Sequence, residues 1–303
     1  MKKKDILVCG SIAYDVIFNY DRNFQDALRT DSDISVAFNV QNKQTFFGGC
    51  SGNIVYWGKK IDADFSLFGL AGKDFGPYQE HLENAGIDTS DVMIDAELFT
   101  SQAVITTDKK NQQIIFFYEG ATSAARKYEK AIQGFFKKHS AQTSLAHIAP
   151  NNPVFVSLCA QACVQNNLPY FFDPGQATAA FESSELKQLL ENSAGFFCNE
   201  YELGLFLEKT HMKKKQLLDA VPLVVVTRAE KGSTIFWHGE PIEIPVSKPK
   251  RIVDPTGCGD AYRAGFLATI EKSWPKLNTR LLYKAGIKGS QLAAQCIMKA
   301  GPH

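Results

Sequence analysis

Charge of one sign is not in excess. The 33 Lys and Arg stand against 32 Asp and Glu, a formal +1, so no global field draws the chain to nucleic acid or anionic lipid. No apolar run nears the roughly 18 residues of a membrane span. The opening Met-Lys-Lys-Lys-Asp5 is a basic flank, yet only Ile6 to Val8 follow before Cys9-Gly10. That stretch is too short for a signal-peptide core and reads as a first buried strand. The six histidines are dispersed and no His-Glu-x-x-His occurs, which argues against a metal hydrolase. Seven cysteines (Cys9, Cys50, Cys159, Cys163, Cys198, Cys258, Cys296) form an odd, scattered set. They fit a reduced, cytoplasmic compartment rather than a disulfide scaffold. Cys159 and Cys163 have no His or second Cys pair nearby at zinc-ligand spacing. Phosphate-loop chemistry of the Gly-x-x-x-x-Gly-Lys-[Ser/Thr] kind is absent, since Ala71-Gly-Lys-Asp74 lacks the first Gly and the hydroxyl residue. No Gly-x-Gly-x-x-Gly follows the first strand, protein-kinase signatures are missing, and there is neither an internal repeat nor a low-complexity tract.

What is present is an ordinary globular composition, 45% hydrophobic over 303 residues. At about 150 residues per domain this allows two domains or one large α/β domain with an insertion. The apolar runs Ile6–Val8, Phe65–Phe68, Val154–Leu158, Tyr170–Phe172, Gly195–Cys198 and Leu223–Thr227 read as buried strands. Helical patterns lie between them at Gly52–Lys60, Gly76–Ala85, Ser184–Asn192, Glu200–Lys209 and Ala261–Lys272. Fully apolar strands alternating with helices predict a mostly parallel sheet covered on both faces. Two stretches, about 12–46 and 97–118, instead alternate with period two: Tyr14, Val16, Phe18 and Tyr20 on one face, Asp15, Ile17 and Asn19 on the other. Ser35–Asn39 and Gln113–Tyr118 continue the pattern. They predict a small antiparallel sheet serving as a lid, or else an edge extension of the main sheet.

The segment Arg251-Ile-Val-Asp-Pro-Thr-Gly-Cys-Gly-Asp-Ala-Tyr-Arg-Ala-Gly-Phe266 reads as a strand ending at Val253, a Gly-rich turn and a small-residue helix. The amides of Gly257, Cys258 and Gly259 would point outward at a helix N-terminus, an arrangement that binds a phosphate-like anion. Asp260 stands at the mouth of that cradle. A carboxylate there would repel a resting phosphate, but it can take a proton from a hydroxyl that attacks a phosphoryl group. The plainer alternative is an N-capping Asp.

Asp-Pro-Thr-Gly-Cys-Gly-Asp260 resembles the Asp-Thr-x-Gly-Ala-Gly-Asp signature of the ribokinase-like (PfkB) carbohydrate kinases. Gly10-Ser-Ile-Ala-Tyr-Asp15, Gly48-Gly-Cys-Ser-Gly-Asn53, Gly69-Leu-Ala-Gly-Lys-Asp-Phe-Gly76, Ala85-Gly-Ile-Asp-Thr-Ser90, Phe172-Asp-Pro-Gly175, Asn199-Glu-Tyr-Glu202 and Thr227-Arg-Ala-Glu-Lys-Gly232 fall in that family's order. The resemblance spans Leu7 to Gly301. Gly257–Gly265, Phe172–Gln176 and Tyr118-Glu-Gly-Ala121 look more like prokaryotic adenosine or nucleoside kinases than ribokinase.

The resemblance implies one ribokinase-like kinase domain over 1–303 with the lid at 12–46 and 97–118. It implies ATP as donor with Mg2+, and a nucleoside or sugar as acceptor. Neither nucleic acid nor membrane is expected as a partner, and the protein would be a monomer or homodimer. Asp260 would be the base, with the Gly257–Asp260 amides as anion hole. Asp15, Gly48, Gly49 and Asn53 would hold the sugar. Asn199, Thr227, Gly232 and Gly259 would serve the nucleotide, and Glu202 would meet Mg2+ through water. Asp254 and Thr256 occupy the positions of a monovalent cation such as K+. A helix cap with a capping-box acid explains Asn199 and Glu202 equally well. Two departures stand out: Ala229 where the family commonly has Gly, and Pro255 where it has Thr. Tyr14, Phe18, Tyr20, Phe38, Phe46, Phe47, Phe116, Phe117 and Tyr118 crowd the lid stretches, whereas the basic residues Arg22, Arg29, Lys43, Lys109 and Lys110 are spread out. That balance favours a nucleoside, adenosine first, over ribose or fructose 6-phosphate. A non-catalytic ligand-binding relative is the remaining alternative.

Overall fold

Residues 5–27, 36–110 and 112–303 are described in the computed structural model. The strands begin with β1 (Asp5–Cys9), β2 (Ala13–Asn19), β3 (Asn42–Gly48), β4 (Phe65–Phe68), β5 (Leu70–Gly72), β6 (Met93–Asp95) and β7 (Ser101–Thr107). They continue with β8 (Gln113–Tyr118), β9 (Thr143–Ile148), β10 (Tyr170–Phe172), β11 (Gly195–Asn199), β12 (Leu223–Thr227), β13 (Ser233–Trp237) and β14 (Glu240–Ile244). The helices are α1 (Phe24–Ala27), α2 (Cys50–Lys59), α3 (Gly76–Asn84), α4 (Glu129–His139) and α5 (Pro153–Gln165). After them come α6 (Ser183–Glu191), α7 (Glu200–Thr210), α8 (Lys214–Ala220), α9 (Cys258–Ile270) and α10 (Thr279–Cys296).

In β1 the alternation is decisive: Ile6 and Val8 enter one apolar cluster, Leu7 and Cys9 another. A strand whose successive residues both find a dry core must be covered on two sides. The clusters place α2, α3, α9 and α10 on one face and α4 to α8 on the other. The main sheet runs β14-β13-β12-β11-β10-β9-β1-β4, parallel from β12 to β4 and closed by an antiparallel hairpin. From β1 the chain goes outward to β4 and later returns on the opposite side as β9. The carboxyl ends of strands at such a reversal form a crevice where ligands bind in open α/β sheets.

The two alternating stretches build a separate sheet, β3-β2-β7-β8. Its outer pairs are antiparallel and its central pair, β2 with β7, is parallel. Each stretch arrives as its own hairpin, and the two hairpins meet running the same way.

Three local expectations need correction. Val154–Leu158 is not a strand but part of α5, where Pro153 opens the helix and the Asn152 side chain accepts from the Val154 N–H at 2.9 Å. A helix buried on most of its faces loses its 3.6-residue stripe and reads like an apolar strand. The strand of that region is β9, where Ser144 and the buried His147 interrupt the apolar run. Nor does a strand end at Val253. Its N–H and that of Asp254 bond to the Ile297 carbonyl instead of to a ladder. Of Ser35–Asn39, residues 36–39 form no strand, and Ser35, like Arg29, lies outside the described residues.

Candidate active site

The proposed residues converge on that crevice. Gly257 takes φ 78°, which a side-chain-bearing residue adopts only under strain, and it starts α9. The first-turn amides of a helix have no partner within it. Here the Cys258 N–H is diverted back to the Pro255 carbonyl at 3.2 Å, closing the turn. It is therefore not free, contrary to expectation, and the cradle falls to Gly257, Gly259 and Asp260.

Asp260 is buried on the third residue of α9, and its Oδ2 accepts from Asn53 Nδ2 on α2 at 2.7 Å. Burial pushes its carboxyl up to about 6, against the pull of the Arg263 guanidinium and the Asn53 hydrogen bond. Asp15, on β2, is likewise raised to about 6, first by burial and then by the charges of Asp260 and Asp254. Two carboxylates held near neutrality in one cleft mark a place built for proton transfer or hydroxyl binding. Gly48 lies against Asp15 so closely that a Cβ there would sit 2.6 Å from Oδ2. The Gly48 carbonyl accepts from the Tyr78 hydroxyl at 2.9 Å, and the Cys50 N–H bonds to Ser11 Oγ at 2.9 Å. These contacts pin the Gly48-Gly49 backbone beside the end of β1.

The candidate nucleotide residues sit at the ends of neighbouring strands, with Asn199 of β11 in register with Thr227 of β12. Asn199 Oδ1 accepts from the Glu202 N–H and Glu202 Oε2 from the Asn199 N–H, both at 2.8 Å. The capping box is thus real and commits one carboxylate oxygen of Glu202. Burial raises the Glu202 carboxyl, opposed by Arg263. Gly232 closes the turn after β12 at φ 85°, and Ala229 in the same turn takes φ 47°.

Asp254 is spent on the backbone. Its Oδ1 accepts from the Thr256 N–H and its Oδ2 from the Gly301 N–H, each at 2.9 Å. Burial works against ionisation, but these bonds prevail and hold the carboxyl below its usual range. Among the described residues no three His, Cys, Asp or Glu side chains gather as a metal cluster. Glu202, with one oxygen engaged, fits a divalent cation carried mainly by phosphate and water. Each Asp254 oxygen accepts one backbone N–H, that of Thr256 or of Gly301, and keeps a further lone pair.

The sequence reading missed the floor of the site. Arg263, one helical turn beyond Asp260, is buried and pairs with buried Asp173 at the end of β10. Nη2 donates to Oδ1 at 2.9 Å and Nε to Oδ2. His147 Nε2 lies 3.3 Å from the same carboxylate. A Cβ on Gly259 would meet Arg263 Nη1 at 2.9 Å, so the guanidinium lies directly under the cradle. A single Arg in the largely apolar stretch that follows Asp260 was the available signal.

Four of the lid-stretch aromatics are plainly committed to packing: Tyr14 and Phe47 against each other and Tyr78, and Tyr20 and Phe38 against each other and Phe24. The row Phe46–Asp15–Ala103–Phe117 runs across the four strands, and cross-strand partners share a face. Phe117, 57% exposed, therefore stands on the Asp15 side. Lys43 pairs with Phe18, on the opposite side.

The chain matches the pfkB family carbohydrate kinases over residues 3–303. It is 31% identical over 302 residues to the nucleoside kinase of Methanocaldococcus jannaschii, covering 99% of this chain and 92% of that protein. To the nucleoside kinase of Methanothermobacter thermautotrophicus it is 30% identical over 266 residues, 87% of this chain and 82% of that one. The structure is similar to Burkholderia thailandensis nucleoside kinase in complex with inosine, with a TM-score of 0.84, 30% identity, and coverage of 98% and 92%.

Proposed function

This chain belongs to the pfkB family of carbohydrate kinases, and from that premise we propose that it transfers the γ-phosphoryl group of ATP to the 5′-hydroxyl of a nucleoside. The observation that carries the reading is Asp260, a buried carboxylate with a raised pKa beside the open amides at the start of α9. Asp260 accepts the hydroxyl proton as the phosphoryl group moves, while the Gly257, Gly259 and Asp260 amides meet the charge developing on it. Arg263 beneath them adds positive potential that Asp173 moderates. Asp15 and Asn53 bind sugar hydroxyls, and Gly48 and Gly49 let the ring approach the backbone. Asn199, Thr227 and Gly232 line the donor side. Mg2+, when bound through water on Glu202, supplies neutralisation of phosphate charge. Asp254 acts as the clamp of the turn.

The four-stranded sheet closes over the acceptor as a lid, and its Asp15 face offers Phe117 for stacking a base, worth about 1–3 kcal/mol. No basic cluster faces Asp15 among the described lid residues, so a sugar phosphate lacks the charge-assisted partners it needs. The relatives named as nucleoside kinases and the inosine complex support the same choice. Within that class the acceptor is a purine nucleoside, adenosine first. The seven cysteines, free throughout, suit a cytoplasmic protein, and no described helix is long and apolar enough to cross a membrane.

The test is ADP release with ATP, Mg2+ and a panel of adenosine, inosine, guanosine, cytidine, ribose and fructose 6-phosphate. Adenosine or another purine nucleoside should give the highest kcat/KM. A higher value for fructose 6-phosphate than for every nucleoside overturns the assignment.

A further inference from the structure

Asn53 touches two groups at once. Its Nδ2 donates to Asp260 Oδ2 at 2.7 Å, and its Oδ1 lies 2.9 Å from Nε2 of His303, 250 residues away in the chain. His303 in turn presents Nδ1 to His81 Nε2 at 3.0 Å, and its ring stacks on Tyr56 with centroids 4.2 Å apart and planes 5° apart. The direction of every bond follows from one end. An ionised carboxylate only accepts, so Asn53 must turn its NH2 to Asp260 and its carbonyl oxygen to His303. His303 then donates from Nε2 and accepts at Nδ1, which requires His81 to donate from Nε2. One tautomer of His303 satisfies the chain, and the other places two acceptors against each other.

We propose that His303 is a positioning residue for phosphoryl transfer: its Nε2–H fixes the Asn53 amide so that Nδ2 stays on Asp260. This rests on Asp260 acting as the base of the proposed reaction. The surroundings favour the neutral ring, since burial and the charges of His81 and Lys60 hold its pKa down near 3. Asn53 carries no charge of its own, so the ring steers it at any pH where Asp260 is ionised. The groups facing Asp260 are Asp15 of β2, Cys50 and Asn53 of α2, Asp173 after β10 and Arg263 of α9. None of the others constrains the amide on its Oδ1 side.

Two substitutions separate the hydrogen bond from the packing. His303→Phe keeps a ring on Tyr56 and removes the donor, while His303→Gln keeps an N–H donor and removes the ring. Expected are a kcat about tenfold lower in H303F with ATP KM unchanged, and H303Q within about twofold of the parent. An H303F variant within twofold of the parent, or equal losses in both variants, overturns the proposal. Should the phenyl ring lower Tm, His303→Ala with added imidazole replaces it: imidazole should restore turnover, and no restoration counts against the bond. Parent turnover is measured first. If it is absent, the kinase reading fails by itself, and nucleoside affinity of the same two variants decides, with H303F the weaker binder. Nitrogen-15 spectra of the histidines give an answer independent of turnover, because a His303 protonated on Nδ1 at pH 7 refutes the inference.

Discussion

Asp260 meets two opposed demands, one from the fold and one from the chemistry. As the proposed base it must be ionised, yet its burial on α9 makes the charged form costly and lifts its pKa to about 6. Asp260→Asn should lower turnover by about 10²–10⁴ with the fold intact, measured by single-turnover kinetics beside a thermal melt. Near-normal turnover in a well-folded variant would remove Asp260 from the mechanism. Ala229 carries a different local load. At φ 47° it occupies the left-handed region where a Cβ crowds the following carbonyl, a penalty of about 1–2 kcal/mol that glycine avoids. Ala229→Gly should raise the urea midpoint by an amount worth about 1 kcal/mol after the greater chain entropy of unfolded glycine is deducted. An unchanged or lower midpoint would show that neighbouring contacts already absorb the strain. The sequence exposed both residues, since each departs from or completes a motif.

At the scale of elements, the proposed closure of the four-stranded sheet is the reading to test. Strand β8 is one of the sheet's two edge strands, and Ile115, Phe116, Phe117 and Tyr118 are each more than 40% exposed. So much exposed apolar surface on one edge strand is costly in water and is relieved when a ligand or the facing domain covers it. Phe117→Ala should raise the nucleoside KM by roughly 5- to 150-fold, the range that about 1–3 kcal/mol of stacking implies, and leave the ATP KM within twofold. Equal losses for both substrates would assign Phe117 to the fold instead. Hydrogen exchange offers a second view of the same element. On adding nucleoside, amides in 13–19, 42–48, 101–107 and 113–118 should exchange more slowly. Protection confined to the main sheet would place the acceptor elsewhere. The alternation in β2 was legible because Tyr14 and Val16 are buried while Asp15 and Ile17 between them are only half-buried. The parallel pairing of β2 with β7 was not, because nothing in either strand records which neighbour it meets.

Across the whole molecule the ionisable groups divide by pH. Asp15 and Asp260, both about 6 when folded against 3.8 ordinarily, bind protons more tightly in the native state. Stability therefore falls as pH rises from about 4 to 6 on their account, by up to about 3 kcal/mol each. Asp173 and Asp254 are held low by their partners and act in the opposite sense, losing their contribution as pH drops below about 4. Asp15→Asn should thus be more stable than the parent at pH 8, with the gain gone at pH 4. Melts at both values check this, and a variant no more stable at pH 8 would mean that water solvates Asp15 in the cleft. The sequence by itself determined much of the alternation of buried strands and helices, the Gly-rich turn before α9, and the order of Asp15, Asn53, Asn199, Thr227 and Asp260 along the chain. These depend on local backbone preference and on residue types at short spacing. Only the tertiary structure decided that Val154–Leu158 is a helix, that Arg263 reaches Asp173 across 90 residues, and that His303 meets Asn53 across 250. Contacts between distant segments leave no periodicity in either partner, because their energy comes from burial and hydrogen bonding that exist only once the layers have packed.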